Sequence, residues 1–221
     1  MIQIAIDGPS GAGKSTIAKV VAKKLNYVYV DTGALYRTVG VAALNRNLDY
    51  HNEAVIAPML QEINVDLVYE DGVQKVLLNG QDVSREIRLP EASMAASGVS
   101  ALPCVREFLL KTQQEIATKN NVIMDGRDIG TVVLPNAQIK IFLTASAEKR
   151  AQRRFAELQE KGVETTYQEV LDDMVKRDYN DSHRAIAPLK PAKDSILVDT
   201  SELDLEQSID AVEQTIRNAL Q

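Results

Sequence analysis

The chain of 221 residues has one cysteine, two histidines and no tryptophan, and only 5% of its residues are aromatic. A single Cys104, following Pro103 at the start of a helical pattern, excludes an internal disulfide and a thiolate zinc site, so it reads as a structural residue. Net positive charge is missing as well. Twenty-five Lys+Arg against 31 Asp+Glu leave −6, which excludes the broad cationic surface that non-specific nucleic-acid binding needs. An anionic ligand must therefore be held by a local cluster of charge. No run approaches the roughly 20 apolar residues of a membrane span. The opening "MIQIAIDG" carries no cationic segment ahead of an apolar core, so a cytoplasmic protein without membrane contact is expected. Internal repeats, low-complexity tracts and long linkers are also lacking. What is present is 45% apolar residues, enough for a sizeable core.

Five short apolar segments read as buried parallel strands: residues 2–7, 27–31, 122–125, 139–145 and 195–199. Helical patterns follow most of them. Ile17, Val21 and Leu25 share one face after Lys14, and Leu205, Ile209, Val212 and Ile216 share another behind a capping Asp204 with Gln207 three residues on. This alternation predicts an α/β fold with a central five-stranded parallel sheet between helical layers. Two excursions break the rhythm. Between 62 and 88, Ile63, Val65, Leu67 and Tyr69 alternate with mostly polar residues, and Asp71-Gly72 and Asn79-Gly80 turn the chain into a small antiparallel meander. From about 146 to 190 runs a polar helical segment, with a break near Lys161-Gly162 and a capping box at Thr166 and Glu169, which predicts a mobile surface element. The expected division is a core of about 1–61, 100–145 and 191–221, an insert of about 62–99 and a lid of about 146–190.

Residues 8–15, "GPSGAGKS", match G-x-x-x-x-G-K-[ST] between a strand and a helix, the context the phosphate-binding P-loop needs. A chance match somewhere in such a chain is about a one-in-a-hundred event. The backbone of Gly8, Pro9, Ser10, Gly11, Ala12 and Gly13 wraps phosphate oxygens, and the helix beginning at Lys14, Ser15 and Thr16 adds unpaired N–H donors and a partial positive charge. Lys14 reaches the β- and γ-phosphates of ATP, and the Ser15 hydroxyl binds Mg²⁺. No Asn precedes a Lys anywhere, so the guanine-reading Asn-Lys-x-Asp sequence of GTPases is absent and a kinase for a small acceptor leads.

The remaining signal lies in arginine, which grips phosphate through a planar fork. Arg37, in "DTGALYR", and Arg127, in "NVIMDGRDIGTVV", both fall just past strand ends at the ligand-binding edge of an open α/β sheet. Arg150, Arg153 and Arg154 share a helical face, with Arg150 read mainly as a solvated ion pair near Glu148 and Arg153 and Arg154 assigned to ATP. Arg177, Asp181 and Arg184 form one stripe if their helix runs far enough. Two phosphate-binding poles describe an enzyme that moves a phosphoryl group between phosphates. Asp125, ending its strand, is expected to orient the metal's waters. His51 reads as a surface residue, and His183 is given no direct role.

The segments "IDGPSGAGKST", "DTGALYR", "AASGVSALPCVR", "DGRDIGTVV", "RRFAELQEKG" and "RDYNDSHRAIAPL" together resemble, in order and over essentially the whole chain, the bacterial cytidylate kinases among the nucleoside monophosphate kinases. The resemblance implies that residues 62–99 form a monophosphate-binding insert. It also implies that CMP or dCMP accepts the γ-phosphoryl group of ATP, with Mg²⁺ as cofactor and a monomer as the working form. By the same resemblance Arg37, Arg127 and Arg184 hold the acceptor phosphate with Arg177 nearby, and Ser97, Arg106 and Asp128 read cytosine. Asp181 approaches the ribose, and Thr32 stands where serine occurs in other members. Lys14, Arg127, Arg177 and Arg184 are the expected catalytic cations. Alternatives kept open are a P-loop kinase for another acceptor and a non-catalytic ATP-binding regulator.

Overall fold

Strand β1 (Gln3–Asp7) is apolar and buried at Ile4, Ala5 and Ile6 and lies between two parallel neighbours, β6 (Val122–Gly126) and β7 (Ile139–Thr144). The computed structural model describes residues 1–70 and 73–221, so the expected turn at Asp71-Gly72 lies outside the described residues. Five strands form the parallel sheet in the order β2-β6-β1-β7-β8, with β2 at Val28–Asp31 and β8 at Ile196–Asp199. Ile4, Ile6, Ile123, Ile139, Ile141 and Leu143 from the sheet pack with Ile17 and Val21 of helix α1 (Lys14–Leu25) and Val212 and Ile216 of α8 (Leu205–Ala219). Each such side chain contributes about 2 kcal/mol by leaving water. The capping box of α8, Asp204 with Gln207, forms as its sequence predicts, as does that of α7 (Tyr167–His183) at Thr166 and Glu169.

Two readings need correction. The segment 195–199 is not a buried strand. It is one of the sheet's two edges, where only Val198 is buried while Ile196 and Leu197 are exposed, because β7 pairs with it on one side only. Leu205 is likewise exposed at the first turn of α8 instead of joining the core stripe.

By packing the chain divides into two compact units, residues 1–29 with 120–221, and residues 30–119. The first holds α1, β1, β6 to β8, α6 (Ala147–Glu160), α7 and α8. The second holds α2 (Thr32–Asn45), α3 (Glu53–Leu60), α4 (Pro90–Val99), α5 (Pro103–Lys119) and a three-stranded antiparallel sheet, β3 (Val65–Glu70), β4 (Val73–Leu78) and β5 (Gln81–Asp82). Asn79 and Gly80 both take positive φ, 52° and 79°, and turn β4 into β5 as a tight hairpin requires. In the same unit α2 and α4 pack closely. A Cβ on Gly40 would lie 2.9 Å from that of Ala95, so glycine at 40 lets the two backbones approach.

Candidate active site

β1 ends in Asp7-Gly8, and the next residues form the P-loop. Gly8 has φ +154°, and a Cβ there would come within 1.9 Å of the Leu143 carbonyl oxygen, so only glycine lets the chain leave the sheet here. The Lys14 ammonium is buried and donates to the Pro9 carbonyl at 2.7 Å. Burial, and then the charge of Arg127, push it down to about 7, against the opposing pull of Asp125, Asp7 and Asp181. Four charged groups therefore act on Lys14 near the C-terminal ends of β1 and β6.

Ser15 donates its hydroxyl to Asp125 at 2.9 Å, and Tyr29 donates to the other Asp125 oxygen at 2.8 Å. A hydroxyl beside a carboxylate supplies the hard oxygens that Mg²⁺ prefers. Among the described residues no three His, Cys, Asp or Glu are grouped to hold a metal. The pair thus fits an ion carried largely by phosphate and water, the usual arrangement for Mg²⁺ at a P-loop.

After β6 the chain enters a π-helical turn, Ile129–Val133, in which the Leu134 N–H reaches back to the Ile129 carbonyl at 2.7 Å. The two residues between β6 and this widened turn, Arg127 and Asp128, are the ones flagged by sequence. Arg127 donates through Nε to Asp181 of α7 at 2.8 Å. Asp128 is buried and accepts from Arg184 at 3.2 Å, while Arg184 Nε donates to the Ala187 carbonyl at 2.7 Å. Helix α7 ends at His183 and Arg184 is extended, with φ −63° and ψ 144°, so the expected stripe of Arg177, Asp181 and Arg184 does not form. Arg177 is exposed on the helix itself.

The α6 arginines do three different things. Arg150 is not a solvated partner of Glu148: its side chain is only 5% exposed and pairs with Asp178 at 2.6 Å. Arg153 donates to the carbonyls of Thr200 and Leu203 at 2.6 and 3.1 Å, and Arg154 makes an exposed pair with Glu157 at 2.8 Å. Helical spacing placed them near one another, but the neighbours of each decided its partner. Of the two histidines, His51 is exposed and His183 stacks on Tyr179 with ring centroids 4.0 Å apart.

In the other unit, Asp31 caps α2 by accepting from the Ala34 N–H at 3.0 Å, and its second oxygen accepts from Arg37 at 2.8 Å. Arg37 Nε is buried without a hydrogen-bond partner among the described residues. The Asp31 N–H donates to the Gln74 side chain at 3.1 Å, tying β4 to the strand end that carries this pair. Thr32 is buried as the first residue of α2. Arg106 donates to the Tyr36 hydroxyl at 3.0 Å, and its guanidinium carbon stands 5.7 Å from the centre of that ring. Ser97 is exposed on α4, between Ala96 and Gly98, which are buried in the helix packing. Arg37, Arg127 and Arg184 are thus each held by a carboxylate, which fixes the orientation of each guanidinium.

The model of the family described as "Cytidylate kinase" matches residues 4–218. The chain belongs to the cytidylate kinase family. It is 52% identical over 211 residues to a cytidylate kinase of Caldicellulosiruptor bescii, covering 96% of this chain and 93% of that one. It is 48% identical over 217 residues to one from Lactobacillus johnsonii, covering 98% and 94%, and 47% identical over 220 residues to one from Bacillus cytotoxicus, covering 100% and 98%. Among solved structures, shikimate kinase from Bacteroides thetaiotaomicron matches with a TM-score of 0.50 at 16% identity, covering 99% of this chain and 98% of that one. An uncharacterized protein from Eubacterium ventriosum matches with a TM-score of 0.53 at 15% identity, covering 98% and 99%. At such identities the likeness is one of fold.

One residue of this family member escaped the sequence reading. Asp7 is buried, and its two oxygens accept the N–H groups of Ile129 and Gly130, both at 2.8 Å, which pins the π-helical turn to β1. A signal existed, since an Asp closing an apolar strand needs a buried partner, and that logic had singled out Asp125. Burial pushes the Asp7 carboxyl up to about 6 from 3.8, with the two N–H donors pulling the other way. Between these values the folded chain keeps a proton that the unfolded chain has lost, so this contribution to stability is full at low pH and is lost as pH rises through 6. Asp7→Asn removes the titration. The stability of the unaltered chain relative to the variant should fall by about 3 kcal/mol between pH 3.5 and pH 7.5. Urea unfolding at several pH values measures it, and a pH-independent difference would reject the raised carboxyl.

Proposed function

We propose that this chain transfers the γ-phosphoryl group of ATP to CMP or dCMP, giving ADP and the corresponding diphosphate. The observation that carries the reading is that β1 and β6 end side by side, Asp7 opposite Gly126, so the P-loop and Arg127, the first cation after β6, leave the sheet at the same edge. A donor-phosphate pole and a second cationic pole therefore stand close together, as transfer between two phosphates requires. The acceptor oxygen is already anionic, so no base has to remove a proton, and catalysis rests on positioning and charge stabilisation. The exposed His51 and the stacked His183 agree with that chemistry.

In this proposal the backbone of 8–13 with Lys14, Ser15 and Thr16 holds the ATP phosphates. Arg153 and Arg154 serve ATP by leaving their present protein partners. Ser15 holds Mg²⁺ directly and Asp125 holds it through water; when bound, the ion neutralises charge on the phosphates. Arg37, Arg127, Arg177 and Arg184 take the acceptor phosphate, Asp181 the ribose, and Thr32, Ser97, Arg106 and Asp128 the rest of the nucleotide. Residues 62–99 serve as the monophosphate-binding insert. Residues 146–190 serve as a lid that excludes water, since water in the site would turn transfer into hydrolysis. We assign the working form as a cytoplasmic monomer without nucleic-acid partners, in line with the net charge of −6; among the described residues no helix is long and apolar enough to cross a membrane.

Cytosine presents an amino donor beside two acceptors, and Asp128 supplies the acceptor that matches the amino group. Uracil presents a carbonyl there and leaves the buried carboxylate facing an oxygen. A coupled assay with ATP and CMP, dCMP, UMP, AMP, GMP or shikimate tests the activity, and turnover of UMP as fast as CMP would overturn the cytosine assignment. In Asp128→Asn the CMP-over-UMP ratio of kcat/KM should narrow about tenfold, corresponding to about 1.4 kcal/mol. The ratio is the informative quantity, because the substitution weakens the Arg184 pair for every acceptor alike.

A further inference from the structure

Helix α7 presents Met174, Asp178 and Asp181 at spacings of four and three residues, so all three share one face. Each meets a different part of the phosphate-binding apparatus. Met174 lies against the P-loop, where a Cβ added to Gly11 would fall 2.9 Å from its terminal methyl group. Asp178 accepts from Arg150, whose second arm donates to the Ser10 carbonyl of the P-loop at 2.8 Å while its Nε donates to the Ala145 carbonyl at 2.8 Å. Asp181 accepts from Arg127. Eight residues of one helix, 174–181, thus touch both the ATP loop and the arginine assigned to the acceptor phosphate.

The Ser10–Gly11 peptide is planar, so a Ser10 carbonyl turned toward Arg150 sends the Gly11 N–H the opposite way. A phosphate that pins that N–H also pins the carbonyl and, through it, Arg150. Arg150 spends all three of its nitrogens on Ala145, Ser10 and Asp178 and is nearly buried, so it has little room to move independently. The second Asp178 oxygen is buried with no partner among the described residues, so Arg150 is the contact that holds this carboxylate.

We propose that Arg150 and Asp178 are positioning residues that join the P-loop to α7, so that ATP in the loop fixes Asp181 and Arg127 and raises affinity for the acceptor nucleotide. The proposal rests on the assignment of Arg127 and Asp181 to that nucleotide. It adds a contact route between the two sites beside the field of Arg127 on Lys14.

The test measures CMP binding by calorimetry with and without a saturating non-hydrolysable ATP analogue and Mg²⁺. In the unaltered chain the analogue should tighten CMP binding by about fivefold or more. In Asp178→Asn the tightening should shrink to less than about twofold, while CMP binding without the analogue changes little. Because Asp178→Asn leaves the Arg150 charge buried with a weaker partner, the paired change Arg150→Met with Asp178→Leu removes both charges and serves as the second variant. Full tightening in either folded variant would overturn the proposal. So would a loss of CMP affinity by the same factor with and without the analogue, which marks a merely structural role. The unaltered chain offers a check that needs no variant: the analogue alone should slow amide exchange over 174–183, and unchanged exchange overturns the relay. An active CMP kinase without tightening would defeat this inference alone, whereas a chain inactive toward CMP would defeat the functional reading beneath it.

Discussion

Lys14→Met is expected to lower kcat/KM for ATP by about 10²- to 10³-fold without lowering the unfolding temperature. The two halves of that expectation come from one fact. The ammonium is buried, and burial opposes its charge, so the folded chain stabilises Lys14 less than water does. Methionine has similar reach and no charge, and its burial costs nothing comparable. On the proposed function catalysis loses a preorganised cation beside the ATP phosphates, while folding loses the bond to the Pro9 carbonyl and the pull of Asp125, Asp7 and Asp181, which burial and Arg127 outweigh. The coupled assay and a thermal melt read both quantities. A variant equally inactive but clearly destabilised would mean that Lys14 holds the loop together rather than the transferring group.

Arg127→Met should lower kcat/KM for CMP by about 10²- to 10³-fold, with ATP-analogue affinity changed by less than about threefold. The planar fork is lost, and Asp181, whose side chain is only 14% exposed, is left charged without its 2.8 Å partner. An unpaired carboxylate there repels the incoming phosphate, so the loss exceeds that of a single hydrogen bond. Arg127→Lys should recover little, because a point charge cannot serve Asp181 and phosphate with fork geometry. Binding measurements with each nucleotide separate the sites. Equal losses for both nucleotides would show that Arg127 supports the loop generally, through its field on Lys14.

The P-loop, the five strands and both capping boxes were legible because each is a local pattern whose physics is complete within about ten residues. Glycine positions, apolar runs and a carboxylate three residues after a cap carry that information directly. Asp125 was legible for a similar reason, as a charge ending an apolar strand, and Asp7 could have been read in the same way. Arg150 was misread because its spacing offered Glu148 as a neighbour along the helix, whereas its partners are Ser10, 140 residues away, and Asp178. The edge strand 196–199 was misread because a parallel strand looks equally apolar whether one side or both are covered.

Sequence by itself determined the ligand class of the first site, the segments that form the parallel sheet and the arginines from which a second anion pole is proposed, since these depend on local geometry and charge. Tertiary structure alone decided which carboxylate holds which arginine: Asp31 with Arg37, Asp181 with Arg127, Asp128 with Arg184 and Asp178 with Arg150. Three of those four pairs join residues at least 28 positions apart. A buried ion pair is selected by distance and desolvation once the core has closed, and neither quantity is written in the spacing of charges along the chain.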